Sequence, residues 1–351
     1  MKTYKDAMNE LRFSPQQKQE MIDRLMTQSA QSAQLSQPSK GRAIPLRRVC
    51  ALGAAAALAG ALFCLGAAAS GALKPAAQAF GAVFGTAPAQ TEIIDRIGHP
   101  LDARTTVDGV TVQADAIIGD TYSYVIVYSI YREDGAPITA DPDPNRDGAL
   151  ALRFGDWDTD VGHTGGTHGT AWFFDENPTD NAVQFVQLLT ADAPLKPGTA
   201  TVRLTDLKQG IGEDAALLAR GTWELRFDFA FEDSSLELAG GQSFTVNGET
   251  AVLNSVSISP LSLRIDYTVN TPLQQRENES SGTPDSALTP QPVYLTLTDG
   301  SQIDLTGFGG GIRPEGESTR CEISGVFDRI LPLDTLESIT IGEAVIPVTT
   351  S

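Results

Sequence analysis

Cysteine is nearly absent from this chain. Of three in 351 residues, Cys50 and Cys64 fall inside an apolar stretch and Cys321 stands alone near the other end. There is no CxxC pair, so neither a disulfide framework nor a cysteine-based zinc site is expected. The fold must therefore rest on an apolar core, which a chain of this length can build. Histidine is equally scarce, with three residues. Basic charge is missing from most of the sequence: residues 74–351 hold sixteen Lys/Arg against forty Asp/Glu, a net −24. A polyanion of this kind repels nucleic acid and anionic lipid, which excludes DNA or RNA binding by this part. No GxSxG, Walker or Rossmann pattern occurs, and carboxylates are too many for one pair to stand out as a glycosidase dyad. No catalytic activity is expected.

The basic charge that exists is gathered at the N-terminus. Residues 1–48 hold nine Lys/Arg and four Asp/Glu, a net +5, and the 25 residues from Val49 to Leu73 hold no charge. As a helix that stretch reaches about 37 Å at ~1.5 Å per residue, against a hydrocarbon core of about 30 Å. Lys40, Arg42, Arg47 and Arg48 precede it, while Lys74 alone follows closely. The positive-inside rule then puts the N-terminus in the cytoplasm and the C-terminus outside. A cleaved leader ending at Ala67-Ala68-Ala69 is one alternative, but 48 residues is long for the basic region of a signal peptide; a lipoprotein anchor at Cys64 is disfavoured by Phe63, and a buried helix by the length of the uncharged run and its basic flank. The expected localisation is the cell membrane, crossed once through the lipid bilayer.

Ser14-Pro15-Gln16-Gln17 is a helix start: Ser14 caps, Pro15 suits the first helical position and Gln17 completes a capping box. Met21, Ile22, Leu25 and Met26 then form an apolar stripe at i, i+1, i+4 and i+5. Short amphipathic helices cannot bury much surface on one another, so the stripe wants a partner. Docking onto a cytoplasmic protein and lying on the inner leaflet are both open. Residues 28–44 are rich in Ser and Gln and read as a linker.

Beyond residue 98 the pattern turns to strands. VTVQADAI (Val110–Ile117) alternates, and YSYVIVYSIY (Tyr122–Tyr131) is strongly β-prone. Further strands are expected at Val183–Thr190, Ala200–Leu204, Trp223–Phe231, Ala251–Ser259, Leu263–Val269, Val293–Leu297, Glu322–Phe327 and Ser338–Ile341. Asn247-Gly248 and Asp299-Gly300 are hairpin signals. A polar, glycine-containing stretch at 233–242 marks a boundary, and residues 271–292 read as a long exposed loop. The expected fold is mainly β. Four parts follow: a helical cytoplasmic segment and linker (1–47), a transmembrane helix (48–73), and two β-sandwich-like extracellular domains (74–235 and 236–351).

One local motif carries metal chemistry. Asp143-Pro-Asn145-Arg-Asp147-Gly148 puts oxygen ligands at positions 1, 3 and 5 and glycine at 6, as an EF-type calcium loop does. Position 12 is Phe154 rather than Glu, so Asp143, Asn145 and Asp147 would make a weak calcium site; a solvated acidic turn is the alternative. No other cofactor is expected. His163 and His168 flank a glycine-rich loop (GHTGGTHG) without a third ligand for zinc. Cys321 reads as a buried, small apolar residue, and Trp157, Trp172 and Trp223 as core residues or a ligand platform.

Several stretches together resemble a known family. They are Asp95-Arg96, TTVDGVTVQADAIIGD (Thr105–Asp120), YVIVYSI (Tyr124–Ile130), SVSISPLSLRIDY (Ser255–Tyr267), LTLTDGS (Leu295–Ser301) and SITIGEAVIPV (Ser338–Val348). The chain resembles membrane-anchored proteins of Gram-positive bacteria that carry the domain-of-unknown-function family forty-one seventy-nine with a β-rich companion domain. The resemblance implies an anti-sigma-factor or envelope-sensor role, with a cytoplasmic sigma factor as partner. The His-and-CxxC zinc pattern common among anti-sigma factors is absent, so such binding would fall to the N-terminal helices without metal. A surface adhesion or ligand-binding protein, with an unknown extracellular ligand, is the alternative.

Overall fold

The structure is a computed structural model describing residues 74–348 apart from 163–164, 213, 233, 273–287 and 291. The expected membrane stretch and the Met21, Ile22, Leu25 and Met26 stripe lie outside the described residues, as do His163 and most of the 271–292 insertion. Among the described residues no helix is long and apolar enough to cross a membrane.

The described chain is mainly β. Two helices, α1 (Ala76–Phe84) and α2 (Pro88–Ile97), come first. A five-stranded antiparallel sheet follows in the order β1 (Gly98–Val107), β2 (Val110–Gly119), β3 (Ser123–Arg132), β6 (Ala182–Ala191), β5 (Thr167–Phe174). A three-stranded sheet runs β4 (Leu152–Asp160), β7 (Gly198–Gln209), β8 (Ala216–Phe229). The C-terminal half begins with β9 (Leu236–Ala239), which pairs with β11. Its larger sheet is ordered β10 (Ser243–Val246), β11 (Glu249–Ile258), β12 (Ser262–Val269), β16 (Ser318–Val326), β15 (Gly309–Glu315). The last sheet is β14 (Gln302–Asp304), β13 (Val293–Leu297), β17 (Leu336–Ile341), β18 (Ala344–Pro347).

The two-residue period of a strand explains how these sheets stack. On β3, Tyr124, Ile126, Tyr128 and Ile130 point into a core shared with Val202, Leu204, Trp223 and Leu225 of the three-stranded sheet. Val125 and Val127 point the other way, onto Phe80, Phe84 and Ile94 of the helices. The unbroken apolar run of β3 thus reflects burial on both faces. On β2 the register shifts at Asp115, between Ala114 and Ala116. This bulge exchanges the faces: Val112 and Ala114 belong to the inner core, Ala116 and Ile118 to the outer one. In the C-terminal half, Ile265, Tyr267 and Ile323 of the larger sheet meet Leu295, Ile339 and Ile341 of the smaller one. Each half is therefore sandwich-like, two sheets closing on one core. The inner core of the first half ends at Phe229, with Phe231 packed against it, and that of the second begins with Leu236 and Leu238. All described residues belong to one compact unit, Gly66–Ser351.

The expected hairpin at Asn247-Gly248 is present: both residues take positive φ, 49° and 87°, in a two-residue link from β10 to β11. The expected loop GHTGGTHG is corrected in part, because its second half starts β5 and His168 lies on a strand. Strands β1, β4, β5, β9, β10, β14, β15 and β18 were not legible in the sequence, β9 falling inside the stretch read as a polar boundary, and each of them pairs with a single neighbouring strand.

Candidate functional site

The outer face of the five-stranded sheet meets the C-terminal half, and at one end the meeting is closed. β2 ends at Gly119, where a Cβ would fall 2.5 Å from the Phe231 ring, so only glycine lets that ring lie flat on the strand. Asp120 follows, buried, with all its acceptor positions used. Its Oδ1 accepts from the backbone N–H of Tyr122 (2.9 Å) and Ser123 (2.8 Å). Its Oδ2 accepts from the hydroxyls of Ser259 (2.5 Å) and Ser262 (2.6 Å), which flank the β11–β12 turn. Between those serines Leu261 is fully buried among Ile118, Val125 and Ile330. Two stretches that carry the family resemblance, IIGD and SISPLS, are therefore joined here by a carboxylate and two hydroxyls.

A second polar clasp lies beside it. Arg264 on β12 pairs with Glu322 on β16, and both are largely buried. The same guanidinium reaches the carbonyls of Ala191 (3.3 Å) and Asp192 (3.4 Å) and stacks 4.5 Å from the centre of the Tyr122 ring. Glu322 also accepts from the Ser324 hydroxyl at 2.8 Å, and the same hydroxyl oxygen lies 3.3 Å from His168 Nε2. A buried serine that donates to a carboxylate is not an activated nucleophile, so this Ser–His contact is structural.

Past His168 the two surfaces part into a groove of about 530 Å³. One wall is the outer face of β5 and β6, where His168, Thr170 and Trp172 align with Leu188 and Thr190, capped by Phe84 from the end of α1. The other wall is Phe308, Val326 and Phe327. Gly307 borders open space, with nothing within 4 Å of a Cβ built there, while at Gly309 and Gly325 a Cβ would meet the rings of His168 (3.1 Å) and Phe308 (2.8 Å), so these two glycines make room for the wall rings. A smaller hollow of about 200 Å³ continues on the far side of His168, along Gly310–Arg313.

Arg146 stands at the mouth of the groove. Its guanidinium carbon lies 3.6 Å from the centre of the Trp172 ring, the geometry of a cation–π stack. Burial pulls its pKa below the ordinary arginine value, opposed by the nearby Asp143 charge. The loop that presents Arg146 is the Asp143–Gly148 motif. Asp143 Oδ1 accepts from the N–H of Asn145 (2.8 Å), Asp143 N–H donates to Ala149 O (2.8 Å), and Gly148 turns the chain at φ 75°. A bridge from Leu150 to Phe173 ties the loop to the free edge of β5. Asp143 is thus engaged in capping its own turn, while Asn145 and Asp147 are exposed. Among the described residues no group of three or more His, Cys, Asp or Glu is arranged to hold a metal. The loop delivers to the groove its fourth residue, which the calcium pattern leaves unspecified.

Of the tryptophans, Trp223 is core, its Nε1 donating to Val110 O at 2.8 Å; Trp157 is 37% exposed on β4; Trp172 lines the groove. Cys321 is buried and unpaired, with its thiol pushed up to about 11 by burial. Next to the expected membrane stretch, Lys74 reaches Asp115 (3.3 Å) and Ser129 (3.2 Å) across the outer face of the sheet. Burial raises the pKa of Asp115 in spite of that ammonium and of the Ser129 and Gln113 hydrogen bonds.

No family model matches the chain, and no curated protein matches it. Among solved structures, the crystal structure of a conserved domain protein from Bacillus anthracis is similar at a TM-score of 0.43. It is 16% identical over 70% of this chain and 76% of that one. A likeness at that level carries no argument about function.

Proposed function

We propose that the β-rich part is the extracellular, ligand-binding portion of a single-pass membrane protein. The observation that carries this reading is the groove of about 530 Å³ between β5–β6 and Phe308–Phe327, whose aromatic lining sets it apart from a second opening of about 610 Å³ on the same junction, at Ile93, Ile97, Pro260 and Leu333. Its volume lies in the range of small-molecule sites, and an aromatic lining with a few polar groups is what such sites use. Binding there needs no moving part, since Asp120, Leu261 and Arg264 hold the two walls together. The reading includes no catalysis. The test is hydrogen exchange on the full-length chain, with and without an extract of envelope material, using Gly307→Leu as the blocked control. Slower exchange at 168–172 and 307–309 in the unaltered chain, lost in the variant, supports the groove as the site. Unchanged exchange in both rules it out.

A second reading concerns output. The stripe of Met21, Ile22, Leu25 and Met26 beside a basic, membrane-adjacent segment fits an anti-sigma-like regulator, in keeping with the family resemblance. Lys74, the residue after the expected span, is ion-paired into the same sheet face that forms the groove wall, which favours coupling between ligand and membrane segment. A pull-down from solubilised membranes would recover a sigma factor with the native chain and not with the Ile22→Asp, Leu25→Asp variant. Recovery of no cytoplasmic partner by either would leave an anchored adhesion or binding protein.

A further inference from the structure

We propose that the ligand of this groove is an organic anion: a carboxylate or equivalent group held by Arg146, joined to an apolar body lying against Trp172 and Phe308. This rests on the groove being a binding site and adds the class of ligand. The charge requirement comes from Arg146. Among the described residues its guanidinium makes no ion pair and no hydrogen bond to a carboxylate; it stacks on the Trp172 ring. Arg146 is exposed at the mouth; its guanidinium gives up hydration only on the face that lies on the indole, and its N–H donors stay free for an anion. The other charge on the groove wall, Asp328, is already matched, since Arg329 Nε donates to its Oδ1 at 2.8 Å. Asp143 acts on Arg146 through space without an ion pair, so an entering anion meets a cation with no direct partner and, on the groove wall itself, no unpaired carboxylate.

The apolar requirement comes from what lies behind Arg146. Trp172, Leu188, Phe308 and Phe327 line the groove; Gly325 lets the Phe308 ring pack against the backbone, and Gly307 borders open space. A bare inorganic anion would leave this surface wet, and a purely apolar molecule would leave Arg146 unmatched. The guanidinium fork suits a planar carboxylate, which it can bind through two parallel N–H donors while its face stays on the indole.

The experiment is photo-crosslinking of the full-length chain in membranes with 4-benzoylbenzoate and, in parallel, the neutral 4-benzoylbenzamide. Crosslinks are mapped by mass spectrometry. Labelling of peptides bearing Trp172, Phe308 or Phe327 is expected to favour the benzoate roughly tenfold, the effect of one charge-assisted contact. In Arg146→Gln that preference should vanish with residual labelling kept, and Arg146→Lys should restore part of it. Equal labelling of the groove by both probes would overturn the anion while sustaining the groove as a binding site. A preference that persists in Arg146→Gln would overturn the role of Arg146. No labelling of the groove by either probe would overturn both the ligand class and the site.

Discussion

The two ends of one junction make an instructive comparison. Both are built where the outer face of the β1–β2–β3–β6–β5 sheet meets the C-terminal half. At the closed end a leucine fills the gap, and one carboxylate satisfies two hydroxyls and two backbone donors. At the open end Gly307 borders empty space, and an arginine with no direct ionic partner lies on a tryptophan. Apolar filling and saturated hydrogen bonding mark structure; missing side chains and an unmatched charge mark room for a ligand.

The comparison can be broken first at the closed end. Asp120→Ala should be the most damaging change, costing about 4 kcal/mol, because several buried donors lose their acceptor together. Thermal unfolding of the full-length chain measures it, and a loss under 1 kcal/mol would mean that the junction does not depend on this carboxylate. Leu261→Ala should cost about 3 kcal/mol, the range for a buried leucine whose cavity cannot collapse; a neutral result would show the turn to be loosely seated.

The outer sheet face offers a test by pH. Burial raises the pKa of Asp115 above its ordinary 3.8. Between that value and the raised one the folded chain keeps a proton that the unfolded chain has released. Stability from this group is therefore gained as pH falls through the window and lost as pH rises through it. Asp115→Asn should remove that slope, at most about 1.4 kcal/mol per unit of pKa shift. An unaltered slope would assign the pH dependence elsewhere.

The open end should respond in the opposite manner. Gly307→Leu points a side chain into empty space, so stability should stay within about 0.5 kcal/mol while groove labelling is lost. A large drop in stability would show the groove to be part of the core. The smallest effect belongs to Asp143, Asn145 and Asp147. For a weak site of the millimolar class, calcium at a concentration equal to its Kd would add about 0.4 kcal/mol. A calcium-dependent shift in melting that disappears in Asp147→Ala would establish the site; no shift would leave the loop as the mount for Arg146.

The sequence by itself determined the central strands and the β-rich class. β3, β6, β12 and β13 are buried on at least one face over their whole length, and burial writes itself into composition through the two-residue period. It also determined the turn at Asn247-Gly248, because only residues tolerant of positive φ close so short a hairpin. The edge strands were decided by tertiary structure. β4 carries Asp156, Asp158 and Asp160, β5 opens with the mostly exposed Thr167-His168-Gly169-Thr170, and β15 opens with three glycines; each is a strand because a neighbour supplies its hydrogen bonds, not because of local preference. The groove falls in the same class. Its walls come from positions as distant as Phe84, Trp172 and Phe308, and its glycines at 307, 309 and 325 border space or admit wall rings without leaving a periodic mark in the sequence. Asp120, Ser259 and Ser262 lay in the stretches that carry the family resemblance. No spacing along the chain could announce that a carboxylate and two hydroxyls some 140 positions apart would meet.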